Sequence, residues 1–166
     1  MLMSLNVLLL SIHEKYATKI FDGRKTVELR RLKPRLNPGD LIVVYVTSPR
    51  KEIVGVLEVA KVLALPPDLL WKVVSNKSGL TSDEFYGYFE DAPLGFAIFV
   101  GKYDYFSKSL ALNLLREKWS GFSPPQGYKY LDSDEIRLLE SMAHYDISGF
   151  SDGNGGIQGQ LCLSTV

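Results

Sequence analysis

The sequence predicts an α+β fold, a single domain in which strands and short helices alternate. Three observations carry that prediction. Apolar residues recur with period two in some stretches and at helical spacing in others. Ser or Thr, or an Asp, stands three residues before Glu at several points, as in helix-capping boxes. Turn-forming Gly and Pro residues separate the periodic stretches. At 166 residues the chain suits one domain able to bury a substantial core.

Taken in order, Val7 to Ile12 is an apolar run that reads as a buried strand. Ser11 followed by Glu14 has the form of a capping box, so a helix is expected from there through Tyr16, Ala17, Ile20 and Phe21, with Gly23 as its left-handed stop. From Lys25 to Arg31 the period changes to two. Val27 and Leu29 share one side and Thr26, Glu28 and Arg30 the other, giving a strand with one polar face. After the turn Pro38-Gly39-Asp40, Leu41 to Thr47 reads as a central strand. Glu52 to Val62 reads as a third, which Gly55 can bend. These strands are expected to pair successively and antiparallel. Pro66-Pro67 opens a helix that Gly79 ends, and Thr81 with Glu84 caps a short one through Tyr88 and Phe89. Leu94 to Phe106 returns to the sheet. Ser109 to Trp119 has helical composition, and Pro124 to Tyr130 reads as an extended aromatic loop. Asp132 with Glu135 caps a final helix from Ser133 to His144. The domain is expected to span residues 1–145. Residues 146–166, with five glycines in twenty-one positions, form a loosely held tail.

Charge narrows the function. Nineteen basic and nineteen acidic residues cancel, so any attraction to a polyanion must come from local clustering. Between Arg24 and Arg35 there are six basic residues (Arg24, Lys25, Arg30, Arg31, Lys33, Arg35) against the single acid Glu28, a local net charge of +5. The opening apolar run is too short for a membrane span and lacks the basic start of a signal peptide. With Cys162 as the only cysteine, no intrachain disulfide forms. A cytoplasmic location is expected, with no membrane partner. Two histidines and scattered acids show no metal-ligand spacing, and no phosphate-binding loop motif is present, so neither a metal nor a cofactor is expected. His13 and His144 read as helix-end residues.

Several ordered features together carry a family likeness: the apolar first strand, Asp22-Gly23 after the first helix, the segment GRKTVELR, the turn at Pro38-Gly39-Asp40, Ser48-Pro49, Val54-Gly55, and Pro124-Pro125-Gln126-Gly127-Tyr128. In this order they resemble an ASCH domain, the activating-signal-cointegrator-1 homology domain of the PUA-like superfamily, over about residues 5 to 142. The resemblance implies a small antiparallel or mixed β-barrel with surrounding helices. It also implies a ligand cleft at the G-x-K-x-x-E-x-R motif and an RNA, nucleoside or nucleotide ligand. Candidate ligand-binding residues are Arg24, Lys25, Thr26, Glu28, Arg30, Arg31 and Tyr128. Lys25 offers a point charge to phosphate, Arg30 a bidentate fork, and Glu28 an acceptor for an exocyclic amine or a sugar hydroxyl. Tyr128 is the favoured aromatic at the rim.

An alternative is hydrolysis, with Lys25 and Glu28 as the catalytic pair, acting on RNA or on an acylated cytidine-type nucleoside. Some small bacterial members hydrolyse acetylated cytidine with a lysine, a threonine three positions later and a glutamate beyond the third strand. Lys25 matches that lysine. The threonine position holds Glu28, and the region expected to supply the glutamate reads Asn76-Lys77-Ser78-Gly79, without an acid. A third reading is a protein-interaction module with a purely structural motif, its Glu28 and Arg30 forming a solvated ion pair.

Overall fold

The structure is a computed structural model and describes residues 4–151. Six strands and five helices follow one another as β1 (Val7–Ile12), α1 (Glu14–Phe21), β2 (Val27–Arg30), β3 (Leu41–Val46), β4 (Glu52–Leu65), α2 (Pro67–Val74), α3 (Ser82–Tyr88), β5 (Gly95–Ala111), α4 (Leu112–Lys118), β6 (Tyr128–Tyr130) and α5 (Ser133–Ala143). The strands form one mixed sheet in the order β2-β5-β4-β3-β1-β6. Only β1 and β3 run parallel; the other pairs are antiparallel.

The apolar runs of β1 and β3 are explained by burial on both faces. Val7 and Leu9 of β1, with Leu41, Val43 and Tyr45 of β3, face a cluster completed by Leu115, Leu139, Ile147 and Phe150. The alternate residues Leu8, Leu10, Ile42 and Val44 face a second cluster with Ala17, Ile20 and Phe21 of α1. Strand β2 turns Val27 and Leu29 toward a third cluster, made with Leu70 and Val74 of α2, Phe85 of α3 and Phe89 just after it. Its polar residues therefore face the other way, as the period predicts.

The sheet is strongly curled. Strands β2 and β1 are separated by three others in the sheet order, so a flat sheet would hold them roughly 19 Å apart at about 4.8 Å per strand. Instead Arg30 Nη2 donates to the Ser11 carbonyl at 2.8 Å. The long strands β4 and β5 allow this bend through register shifts near Gly55, Val59 and Lys61. Gly55 is required there, because a Cβ would lie 2.3 Å from the Asp104 carbonyl oxygen and 2.8 Å from the Phe21 ring. The sheet curls in the manner of the expected small mixed β-barrel but forms a half-barrel, whose seam is bridged by side chains rather than a ladder. Besides Arg30, the Tyr130 hydroxyl both accepts from Arg35 N–H at 2.8 Å and donates to the Arg35 carbonyl at 3.1 Å.

Several local expectations are corrected. Ser11 does not cap α1: it stays in β1 and its hydroxyl donates to the Pro125 carbonyl at 2.6 Å. His13 is the N-cap, with Nδ1 accepting from Lys15 N–H at 3.4 Å. Strand β2 pairs with β5 across a long sequence separation, and not with β3. The extended segment before α5 ends in a short strand, β6, paired with β1. Strand β5 continues to Ala111, so helix α4 begins three residues later than the composition suggested. The capping boxes at Thr81 and Asp132 are both present, each side-chain cap being worth about 1 kcal/mol. Beyond α5, Ile147 and Phe150 are buried in the core, so the start of the expected tail is packed against the domain. Its remaining glycines, from Gly153 on, lie outside the described residues.

Candidate functional site

The curl determines where chemistry can occur. At the seam, the polar face of β2 meets the end of β1, the start of α1 and the α2–α3 connection, around a cleft of about 170 Å³. Its floor is Lys25, Glu28 and Arg30; its walls are Ser11, His13, Tyr16, Leu80, Glu84 and Tyr88.

Lys25 is placed by its backbone. Helix α1 ends at Phe21 and Gly23 turns the chain with φ of +81°, a value glycine adopts without a Cβ penalty. Lys25 N–H then donates to the Lys19 carbonyl at 2.8 Å and Thr26 N–H to the Lys77 carbonyl at 2.9 Å. Between these anchors the Lys25 side chain points inward and is only 2% exposed. Its Nζ donates to the Ser78 carbonyl at 2.6 Å, stands 3.7 Å from Glu28 Oε2 and lies 5.4 Å from the centre of the Tyr16 ring. Burial pushes its pKa below the usual lysine value of 10.5; the Glu28 carboxylate opposes the shift, and Lys19 and Arg30 add to it.

Glu28 is 7% exposed and uses its other oxygen, Oε1, to hold Arg30 Nη2 at 3.1 Å. Arg30 is thus fixed on two sides, by Glu28 and by the Ser11 carbonyl. Its Nε is buried without a hydrogen-bond partner, an expensive state for a donor. Glu28 and Arg30 therefore form a largely enclosed pair rather than a solvated one, with Lys25 beneath. Removing the carboxylate from such a cluster leaves buried positive charge uncompensated, which is costly.

The mouth carries a second set of charges. Lys15 of α1 forms an ion pair with Glu84 at the start of α3, tying the two helices across the opening. That bond, together with the Thr81 N–H, draws the Glu84 pKa down to about 2. Tyr88 lies at the far end of α3; its hydroxyl donates to the Leu29 carbonyl at 3.4 Å.

Of the candidates read from the sequence, Lys25, Glu28 and Arg30 meet in this cleft. Arg24 does not: its side chain is 65% exposed and its Nε donates to Asp22 Oδ2 at 2.7 Å. Thr26 is exposed outside the cleft. Arg31 sits on the rim, donating to the Tyr88 carbonyl at 3.1 Å. Tyr128, on β6, lines an adjoining cavity. The acid sought around Asn76 to Gly79 is absent there, but Glu84 supplies one a few residues on. Sequence pattern had marked Glu84 only as a capping residue and His13 only as a helix-start residue. Nothing in a capping box says which other element the helix start will face. Among the described residues, no group of three or more His, Cys, Asp or Glu is close enough to hold a metal ion. No helix among them is long and apolar enough to cross a membrane.

An ASCH domain model matches residues 10–106, an interval that contains every residue lining the cleft. An ASCH domain-containing ribonuclease from Zymomonas mobilis is 26% identical over 133 residues, 80% of this chain and 89% of that protein. The crystal structure of ASCH from Zymomonas mobilis has a TM-score of 0.77 at 26% identity, covering 82% of this chain and 94% of its own. A hypothetical protein from Leishmania major, at 14% identity, has a TM-score of 0.54 over 85% of this chain and 96% of its own, a likeness of fold alone. The sequence motif, the curled sheet and these matches agree: the chain belongs to the ASCH-domain family.

Proposed function

We propose that the cleft binds single-stranded RNA, with one nucleotide seated against the Arg30 guanidinium. The observation that carries this reading is the enclosed Lys25–Glu28–Arg30 cluster beneath an open cleft. Glu28 orients a guanidinium that would otherwise swing freely, and Lys25 leaves the cluster cationic when protonated. An oriented guanidinium suits a phosphate or the edge of a base. Outside the cleft, the exposed residues Arg31, Lys33 and Arg35 add the diffuse positive charge that attracts a polyanion whatever its sequence. The similarity to an ASCH domain-containing ribonuclease supports RNA as the ligand. The cytoplasm supplies RNA and suits a chain with a single cysteine.

The test is a titration of fluorescent single-stranded RNA at two salt concentrations, with wild type and Arg30→Met. Binding that weakens with salt, and is about tenfold or more weaker in the variant, is expected from the loss of an oriented charged hydrogen bond. Equal affinity of a folded Arg30→Met protein for RNA would remove the cleft from consideration.

A second reading, cleavage of the bound RNA, is favoured by the imidazole of His13 at the mouth of the cleft and by the same relative. In this reading His13 takes the proton of a ribose 2′-hydroxyl on Nδ1, giving up its long hydrogen bond from Lys15 N–H, and the resulting oxygen attacks the adjacent phosphorus. The 5′-oxygen leaves with a proton drawn from solvent, and Arg30 stabilises the charge on the phosphoryl oxygens. The products carry a 2′,3′-cyclic phosphate and a 5′-hydroxyl. Mass analysis of incubated RNA detects them, and His13→Ala is expected to abolish them while RNA is still bound.

A further inference from the structure

Beside the cleft lies a second cavity, of about 400 Å³, with Leu32, Tyr88, Gly127 and Tyr128 as its mostly apolar wall and Arg30 and Arg31 at its edge. Arg30 and Tyr88 belong to both cavities, so the two adjoin across a guanidinium and an aromatic ring. Gly127 and Tyr128 fall beyond residue 106, outside the stretch matched by the family model. We propose that this cavity receives the base of the nucleotide next to the one in the cleft, so that the ligand is an unpaired dinucleotide step of RNA. The proposal rests on the cleft binding RNA.

Four features support a base as the occupant. The volume lies within the range of small-molecule sites, about 300–1,000 Å³. The two tyrosines are held by their hydroxyls, Tyr88 to the Leu29 carbonyl and Tyr128 to the Lys33 carbonyl, each at 3.4 Å. Their rings therefore form cavity wall without needing to be ordered by the ligand. The charge at the boundary is positive: Arg31 is fixed at the rim by the Tyr88 carbonyl, and Arg30 lines both cavities. A phosphate joining two nucleotides would cross this boundary. Lastly, an apolar aromatic wall beside phosphate-binding cations is the combination that grips single strands, since every base has a face to stack. A base in this cavity cannot be paired, so duplex RNA is excluded.

The test compares a uridine mononucleotide with dinucleotides carrying uridine at one end and 2-aminopurine at the other, in both orders. A 2′-O-methyl group on the 5′ nucleotide blocks cleavage. In one order, the dinucleotide is expected to bind about fivefold or more tightly than the mononucleotide, the gain stacking typically gives, and 2-aminopurine fluorescence is expected to fall. Tyr128→Ala should bring the dinucleotide close to mononucleotide affinity, while Tyr128→Phe, which keeps the ring but loses its bond to the Lys33 carbonyl, should keep most of the advantage. Leu32 is 74% exposed, so Leu32→Asn tests the same wall without risk to folding and should lose at least part of the gain. Equal affinity for mono- and dinucleotide, with both lost in Arg30→Met, would overturn the second site and leave the cleft reading standing. Failure of wild type to bind either ligand, or single-stranded RNA, would overturn both.

Discussion

Within the one segment GRKTVELRR, from Gly23 to Arg31, adjacent cations meet opposite fates. Arg24 stays on the surface, held by Asp22 two residues earlier, while Lys25, one residue on, is buried with its amine on the Ser78 carbonyl. At the other end Arg30 is largely enclosed, and Arg31 is exposed on the rim. A pair in water is screened and holds little energy. A cluster shielded from water interacts strongly and is costly to break. The contrast teaches that the motif's charge count says little about its chemistry. What matters is which charges the curl of the sheet encloses.

The sharpest way to break the comparison is to remove the central carboxylate. Glu28→Ala leaves Lys25 and Arg30 close together with no intervening anion, and loss of one partner from a buried cluster typically costs about 3–5 kcal/mol. Urea unfolding of the purified variant measures this. Glu28→Gln keeps an acceptor for Arg30 and is expected to cost less. A loss for Glu28→Ala no larger than that of a surface pair would show that the cluster is effectively solvated.

Lys25→Met is expected to cost less, about 1–2 kcal/mol at neutral pH, because relief from burying the amine partly offsets an unpaired Ser78 carbonyl. Its signature is in the pH dependence. Burial lowers the folded-state pKa of Lys25 below 10.5, so between the two values the unfolded chain binds more protons than the folded one. Wild-type stability relative to Lys25→Met should therefore be flat below the folded pKa. It should then rise with pH through the window up to the unfolded value. A difference that falls over that window would mean the amine is stabilised as a cation, as on a surface. Unfolding curves of both proteins between neutral and alkaline pH decide it, since all other titrating groups are shared.

Much of this architecture was legible because local pattern and tertiary burial agree. The runs of β1 and β3 announced burial on two faces, and the boxes at Thr81 and Asp132 announced helix starts. The alternation of Val27 and Leu29 with Glu28 and Arg30 announced a polar strand face. What could not be read depended on distant partners. Strand β2 finds β5 nearly seventy residues away, and nothing in four residues specifies that. Ser11 carries the form of a cap, but pairing of β1 with β3 and β6 keeps it in a strand. Alternation placed Thr26 with Glu28 and Arg30, yet β2 begins at Val27, so the parity argument does not extend to Thr26. Glu84 and His13 enter the cleft because α1 and α3 abut. Ile147 and Phe150 sit among glycines and serines, where composition hides their burial in the core.

The smallest expected effect is the complementary test on the surface side of the segment. Arg24→Ala removes a guanidinium whose partner, Asp22, is itself exposed, so the urea midpoint should not move measurably. RNA affinity should fall less than about twofold near physiological salt, because one peripheral charge contributes only to the screened general field. The same titration at higher salt should erase even that difference, whereas the deficit of Arg30→Met should persist because a directed contact is lost as well as a charge. If Arg24→Ala instead weakened RNA binding as much as Arg30→Met, with the same dependence on salt, enclosure would confer no advantage. The whole basic stretch would then act as an undifferentiated patch.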